Sequence, residues 1–204
     1  MTKALIIFIK NPEAGKVKTR LAATLGHDKA LSIYNILVRH TIDVAENVDA
    51  DRFVFYSSHI AVNDEWDNKN FFKRLQKGND LGERMCNAFD LLFSEGYHSI
   101  SIIGSDCPAL TKSIIDEGFN ASPNTDVVIG PAKDGGYYLM ALKKINADLF
   151  SNILWSTNNV LTQTLAVCKR LNLSVHLLQE LSDIDAEDDL ADMHIFLPGK
   201  LNYD

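Results

Sequence analysis

An apolar run, Ala4-Leu5-Ile6-Ile7-Phe8-Ile9, breaks into Lys10-Asn11-Pro12-Glu13-Ala14-Gly15-Lys16-Val17-Lys18-Thr19-Arg20. That segment puts four cations on a stretch punctuated by Pro12 and Gly15. A basic loop at the end of a strand is suited to phosphate, because N–H groups near a glycine and at the next helix start can face an anion while Lys and Arg supply counter-charge. The predicted ligand is a phosphorylated small molecule, first of all a nucleotide, held mainly by Lys10, Lys18 and Arg20. The competing account is a solvated basic surface loop. A Walker A loop is excluded, since its first glycine and its Ser/Thr are replaced by Lys10 and Val17. The dinucleotide fingerprint is absent as well.

Acidic residues supply a second chemistry. Asp106, in Gly104-Ser105-Asp106-Cys107-Pro108, follows a buried-looking run, and a hard oxygen there could hold Mg²⁺ or Mn²⁺ against nucleotide phosphates. Its alternative role is a turn or N-cap aspartate, although Thr111 already offers the following helix a cap. Asp183 and Asp185, at i and i+2 of an extended segment, project to one side and could complete the site. Asp185 could equally cap the acidic helix start that follows. Asp134, in Asp134-Gly135-Gly136, is either a hairpin-turn residue or a general base facing an acceptor hydroxyl. Asp80 and Glu83 have capping-box spacing at the start of a helix. Gly82, in that helix's first turn, costs about 1 kcal/mol against alanine and so points to a close approach, by a nucleoside ring or by a neighbouring strand. Gly135, Gly136, Tyr137 and Trp155 are candidates for an acceptor pocket, Trp155 as its wall, with an aromatic core residue before a helix start as the competing account of Trp155-Ser156-Thr157.

Elements must bring these residues together. Strand-like runs cover residues 4–9, 52–56, 99–104, 126–130 and 173–178; helical spacing covers 28–46, 81–94, 111–119, 157–170 and 187–196. The alternation predicts a mostly parallel α/β sheet, with residues 137–142 joining antiparallel after a tight turn. Ligands of such sheets bind beyond the carboxyl ends of the strands, so loops 10–20, 104–108 and 133–136 are expected to line one cleft.

Composition sets the outer limits. With 204 residues, 46% hydrophobic, the chain suits one domain. Lys and Arg number 20 against 27 Asp and Glu, a net charge of -7, which disfavours a nucleic-acid partner. Three cysteines without CxxC spacing fit a reducing cytoplasm, and no segment has the apolar length of a membrane span. The oligomeric state is not legible.

Taken together, Lys-x-Pro-x-x-Gly-x-Val-Lys-Thr-Arg-Leu at 10–21, Asp-Leu-Gly-Glu-Arg-Met at 80–85, Gly-Ser-Asp-Cys-Pro at 104–108, Gly-Pro-Ala-x-Asp-Gly-Gly-Tyr-Tyr-Leu at 130–139, Trp-Ser-Thr at 155–157 and Asp-Ile-Asp at 183–185 resemble a bacterial family. Its members are glycosyltransferase-like proteins of the nucleotide-diphospho-sugar transferase superfamily, some associated with arsenosugar biosynthesis. The resemblance implies a GT-A-type fold, a three-layer α/β/α sandwich with a mixed sheet. More distantly the pattern is similar to the nucleotidyltransferases of molybdenum-cofactor and deazaflavin-cofactor biosynthesis; in the latter Lys10, Lys18, Arg20, Asp106, Asp183 and Asp185 match positions that bind nucleotide and metal. The chain departs from both groups: it lacks Gly-x-Gly-x-Arg, and Ser-Asp-Cys stands where glycosyltransferases carry Asp-x-Asp.

The expected function is metal-dependent transfer of a sugar from a nucleotide diphosphate to a small acceptor. The alternative is nucleotidyl transfer from a nucleoside triphosphate to a phosphorylated acceptor. A non-catalytic nucleotide-binding module is the reading from another class.

Overall fold

A computed structural model of the chain describes residues 2–197. Strand β1 (Lys3–Ile9) is followed by α1 (Thr19–Leu25), α2 (His27–Glu46), β2 (Asp51–Tyr56), β3 (Phe72–Leu75), α3 (Leu81–Ser94), β4 (Ser99–Ile103) and α4 (Lys112–Ala121). Then come β5 (Val127–Pro131), β6 (Tyr137–Leu142), α5 (Val160–Arg170), β7 (Val175–Leu177) and α6 (Leu190–Phe196). The strands form a seven-stranded sheet in the order β3-β2-β1-β4-β6-β5-β7. Strand β6 runs antiparallel to both β4 and β5, and the remaining neighbours are parallel. The mixed sheet with one reversed strand is the arrangement read from the sequence.

Period-two alternation divides the sheet's apolar residues between two faces. Leu5, Ile7 and Val54 join Tyr34 and Val38 of α2 and Ile115 and Phe119 of α4 on one face. Ala4, Ile6 and Phe53 join Met85, Phe89 and Leu92 of α3 and Cys168 of α5 on the other. Helices therefore cover both faces, giving three layers. A smaller cluster ties α1, α2 and α6 through Leu21, Ile33, Leu37 and Met193, with Ile184 between them.

Two elements lie outside the sequence expectation. Strand β3 carries Lys73 and Arg74 in only four residues, so its apolar signal is weak, and it sits at the sheet edge. Lys73 is nevertheless buried by an ion pair with Asp64 at 2.7 Å. Helix α1 starts at Thr19, so Arg20 lies in a first helical turn and not in a loop. Helix α5 begins at Val160, which leaves residues 155–159 as a strap of turns containing Ser156 at φ 62. Elsewhere the boundaries agree within a few residues, and Thr111 caps α4 as expected. No helix among the described residues is long and apolar enough to cross a membrane.

Strand β5 and β6 shift register between Gly130 and Pro131. In this bulge the Tyr138 ring lies over Gly130, and its hydroxyl donates to the Gln179 carbonyl at 2.9 Å. A Cβ at Gly130 would overlap that ring. Gly130→Ala should therefore lower the unfolding free energy by about 1–3 kcal/mol, the usual cost of overpacking. Urea denaturation checks this; an unchanged midpoint would show that the ring has room to swing.

Candidate active site

Parallel strands β3, β1, β4 and β5 all deliver their carboxyl ends to one edge of the sheet, where the β5–β6 turn also lies. Above that edge opens a cleft of about 1010 Å³, at the top of the usual range for small-molecule sites and roomy enough for a donor beside an acceptor. Its lining includes Lys10 and Lys18 from the segment after β1, Asp106 after β4, and Asp134 and Gly136 from the turn. Those loops therefore converge as the topology requires.

Lys18 lies at the centre. It adopts the left-handed conformation, φ 46 and ψ 48, which is uncommon for a residue with a Cβ. Its side chain is 4% exposed, and Nζ donates to Asp106 Oδ2 at 3.0 Å and to Asp185 Oδ1 at 3.3 Å. Burial alone would lower the lysine pKa; the two carboxylates outweigh it and hold the group above its ordinary value. Burial would likewise raise Asp106, but the charge and hydrogen bond of Lys18, with help from Lys10, hold its carboxyl below the usual carboxylate range. Arg20, largely exposed, reaches Asp185 Oδ2 at 3.5 Å.

Asp183 is the reverse case. Its Oδ1 is fully buried and has no hydrogen-bond partner among the described residues. Burial pushes its carboxyl well above the ordinary value, and the charges of Asp106, Asp134 and Asp185 add to the push despite Lys18. Between the two aspartates, Ile184 is buried, and its N–H donates to the Asp106 carbonyl at 3.0 Å. That bond docks the Asp183-Ile184-Asp185 segment onto the loop after β4. Asp185 is not a helix cap: Asp189 Oδ2 accepts from the N–H groups of Asp185 and Ala186 at 2.8 and 2.7 Å.

Among the described residues no three carboxylate, imidazole or thiol groups form a ready-made metal cage. Lys18 already bridges two of the three predicted ligands. Two features still fit a divalent cation. Asp183 presents an oxygen with nothing to satisfy it, and Asp80, Asp106, Asp134, Asp183 and Asp185 line the cleft against only Lys10, Lys18, Arg20 and Arg84. A diphosphate added to that balance calls for further positive charge.

The other candidates fall into three groups. Asp134 and Gly136 line the cleft; Asp134 Oδ1 accepts from Gly136 N–H at 2.8 Å, which is turn chemistry, while Oδ2 has no partner among the described residues. Tyr137 meets Trp155 edge to face with centroids 6.4 Å apart, and its hydroxyl is buried, which pushes the phenol pKa up. Gly82 and Gly135 seat the strap, since a Cβ at Gly82 would overlap the Trp155 indole and one at Gly135 would overlap the Asn158 backbone. A close approach does occur at Gly82, but by the Trp155 side chain of the strap and not by a strand. Asp80 lines the cleft but also caps α3, accepting from Glu83 N–H at 2.8 Å. Pro12 and Gly15 shape the loop away from the lining; Gly15 sits at φ 79 in a turn closed by Lys16 N–H on the Glu13 carbonyl.

Sequence reasoning passed over several residues in or beside the lining. The Tyr34 hydroxyl, whose pKa burial raises to about 12, donates to the Lys10 carbonyl at 2.8 Å, accepts from Lys10 N–H at 3.0 Å and lies 3.3 Å from Ser105 Oγ. It clamps the β1 loop to the β4 loop, yet in the sequence it is one more apolar position of α2. Asn11 is 4% exposed, its amide held by Ser57, Ser58 and His59. Gln76 and Arg84 enter the lining while bonded to the backbone at Ile9 and Gly78. No short motif marks Tyr34, Asn11 or Gln76, whereas Arg84 falls within the Asp-Leu-Gly-Glu-Arg-Met run at 80–85.

The three layers, the sheet order and the cleft at the strand ends define a GT-A-type, nucleotide-diphospho-sugar transferase fold. The chain belongs to a family described as "Uncharacterized protein conserved in bacteria (DUF2064)", whose model matches residues 41–157. Over its whole length the structure is similar to a protein from Desulfovibrio desulfuricans G20 provisionally described as a nucleotide-diphospho-sugar transferase, with 30% identity, a TM-score of 0.86 and 92% of that chain covered. In sequence, 146 residues, 70% of this chain, are 25% identical to 2-phospho-L-lactate guanylyltransferase of Methanocaldococcus vulcanius. The match spans 63% of that relative's length. The fold is also shared with Rv0371c from Mycobacterium tuberculosis H37Rv in a complex with manganese, at 12% identity, a TM-score of 0.52, and 95% and 98% coverage of the two chains.

Because the folded Asp183 carboxyl binds its proton more tightly than the unfolded one, this residue's contribution to stability is fully present below the unfolded value of about 3.9 and is lost as pH rises towards the folded value. Asp183→Asn cannot ionise and escapes that loss. Free of ligand, the variant should melt above wild type at pH 8, and the gap should narrow towards pH 4. Melting curves that stay parallel across this range would mean that the carboxyl is already compensated.

Proposed function

We propose that this protein is a divalent-metal-dependent transferase that moves a glycosyl group from a nucleotide diphosphate to a small hydroxyl-bearing acceptor. The observation that carries this is the Lys18 ammonium bridging Asp106 and Asp185, with the unpartnered Asp183 oxygen beside it, at the ends of β1 and β4. The full-length likeness to a protein described as a nucleotide-diphospho-sugar transferase supports it.

In this reading Lys10 and Arg20 face the phosphates from the segment after β1, and Lys18 keeps the carboxylates ionised and in place. Asp106 and Asp183 would hold Mg²⁺ or Mn²⁺, with Asp185 as a further ligand once Lys18 shares it. When bound, the metal neutralises charge on the departing diphosphate. Asp80 and Gly82 border the nucleoside side. Gly135, Gly136, Tyr137 and Trp155 border the acceptor, and Asp134 Oδ2 takes the proton from the acceptor hydroxyl as its oxygen attacks the anomeric carbon. Manganese in the complex of a protein of the same fold supports the choice of cation. Three free thiols fit a reducing cytoplasm.

Nucleotidyl transfer is the second reading, favoured by the match to a guanylyltransferase. There an acceptor phosphate attacks the α-phosphate and pyrophosphate leaves, with no base needed. Products decide between the two: a nucleoside diphosphate released from a nucleotide sugar supports the first, and pyrophosphate released from a triphosphate supports the second. If nucleotide binds and neither product forms, the protein is a binding module.

Asp106→Asn should keep the fold, remove the metal-dependent part of nucleotide affinity and lower turnover by about 10²-fold or more. Calorimetry with UDP and GDP, with and without Mn²⁺, checks the binding; equal affinities in wild type and variant would take Asp106 out of the metal site.

A further inference from the structure

The cations of the cleft are gathered on one side of it. Three of its four cations, Lys10, Lys18 and Arg20, come from the segment after β1, and the fourth, Arg84, has Nε committed to the Gly78 carbonyl. Across the sheet, past β4 and β6, the lining is the β5–β6 turn, the start of β6 and the strap at 155–158. Within those three stretches the charged lining residue is Asp134, without a cation partner among the described residues, and its neighbour Lys133 is outside the lining.

The strap is built before any ligand arrives. Leu161 N–H donates to the Gly135 carbonyl at 2.9 Å, Leu154 N–H to Gln163 Oε1 at 2.7 Å, and Thr157 Oγ1 to the Leu154 carbonyl at 2.7 Å. Gly82 lets the Nε1 side of the indole pack against the start of α3, Gly135 lets Asn158 close on the turn, and Tyr137 meets the ring in a T-shaped contact. The Trp155 indole N–H has no partner among the described residues. Trp155 and Asp134, each with a polar atom unpaired among the described residues, thus line the same cleft from the strap and the turn that it packs on.

The geometry points to an uncharged, hydroxyl-bearing ring compound as the acceptor, bound with its apolar face on Trp155 and a hydroxyl on Asp134 Oδ2, and to exclusion of phosphorylated acceptors by the Asp134 carboxylate. This rests on the transfer proposed above and narrows it. An indole face matches the C–H face of a ring, and its N–H can donate to a ring hydroxyl. A phosphate brought within about 4–6 Å of Asp134 meets like charge at a cost of one to several kcal/mol, about tenfold or more in affinity. For a neutral acceptor the step balances: the acceptor oxygen bonds to the anomeric carbon, the bond from that carbon to the β-phosphate oxygen breaks with its electrons leaving on the nucleoside diphosphate, and the hydroxyl proton passes to Asp134.

Because the strap is preformed, the acceptor side is tested without nucleotide. Phenyl β-glucoside and its 6-phosphate are titrated into the full-length protein. Binding is followed by tryptophan emission with the Trp155→Phe signal subtracted, and by calorimetry on wild type. The glucoside should shift the Trp155 emission, and the phosphate should bind at least about tenfold more weakly. Asp134→Asn, which preserves the turn, should shrink that gap, and Asp134→Lys should reverse it. A phosphate that binds wild type as tightly as the glucoside, a gap that survives Asp134→Asn, or an emission that neither probe moves overturns the inference. Separately, UDP-glucose and GDP-mannose with Mn²⁺ should raise the melting temperature; a missing shift there counts against the transferase reading and leaves the acceptor result to be judged alone.

Discussion

The site hangs on one buried ammonium group. Lys18 joins the start of α1 to Asp106, 88 positions away, and to Asp185, 167 away. Sinking a lysine to 4% exposure is unfavourable unless its charge is met, and here two carboxylates meet it. The left-handed backbone of Lys18 is part of the arrangement. It turns the chain out of the β1 loop and into α1, so that the side chain runs down to the sheet and not out to solvent. Tyr34 closes the same junction from α2, bonding Lys10 twice through its hydroxyl. Loops that would otherwise drift are thus fixed relative to the strand ends.

Fixing them in this way sets neighbouring carboxylates against each other. Asp106, beside Lys18, is held ionised, whereas Asp183, one bond network away and shielded from water, is driven towards its protonated form. Two similar side chains given opposite tendencies by their surroundings are characteristic of sites that exchange protons or cations. The unpartnered Asp183 oxygen means that the ligand-free protein carries an unrelieved cost at its centre. Such a cost is readily explained if a cation relieves it, and has no purely structural reason that the fold supplies.

Much of this was legible in the sequence, and the exceptions are instructive. The alternation of apolar runs and helical spacing gave the layers and the reversed β6. The short edge strand β3 escaped because Lys73 and Arg74 mask its period, and α1 because seven residues barely define one. Asp106, Asp134, Asp183, Asp185, Lys18 and Arg20 converge because strand ends concentrate polar residues at one edge. Pro12 and Gly15 shape the loop and stay outside the lining, a distinction that residue type alone does not carry. Asn11, Tyr34 and Gln76 act through bonds to distant backbone and so leave no local pattern.

Gly82 shows how a local irregularity can encode a distant contact. Within α3 it is a weak helix former in a first turn, and only the Trp155 ring lying on it explains its presence. Gly135 repeats the device on the other side of the strap, at φ 89, where any side chain would meet the Asn158 backbone. Two glycines from elements far apart in sequence thus set the position of one aromatic wall. The Lys18 side of the cleft is held by charge, which tolerates movement of flexible side chains. The strap side is held by contact between rigid groups, which does not, and a surface of that kind is suited to telling one neutral ring from another.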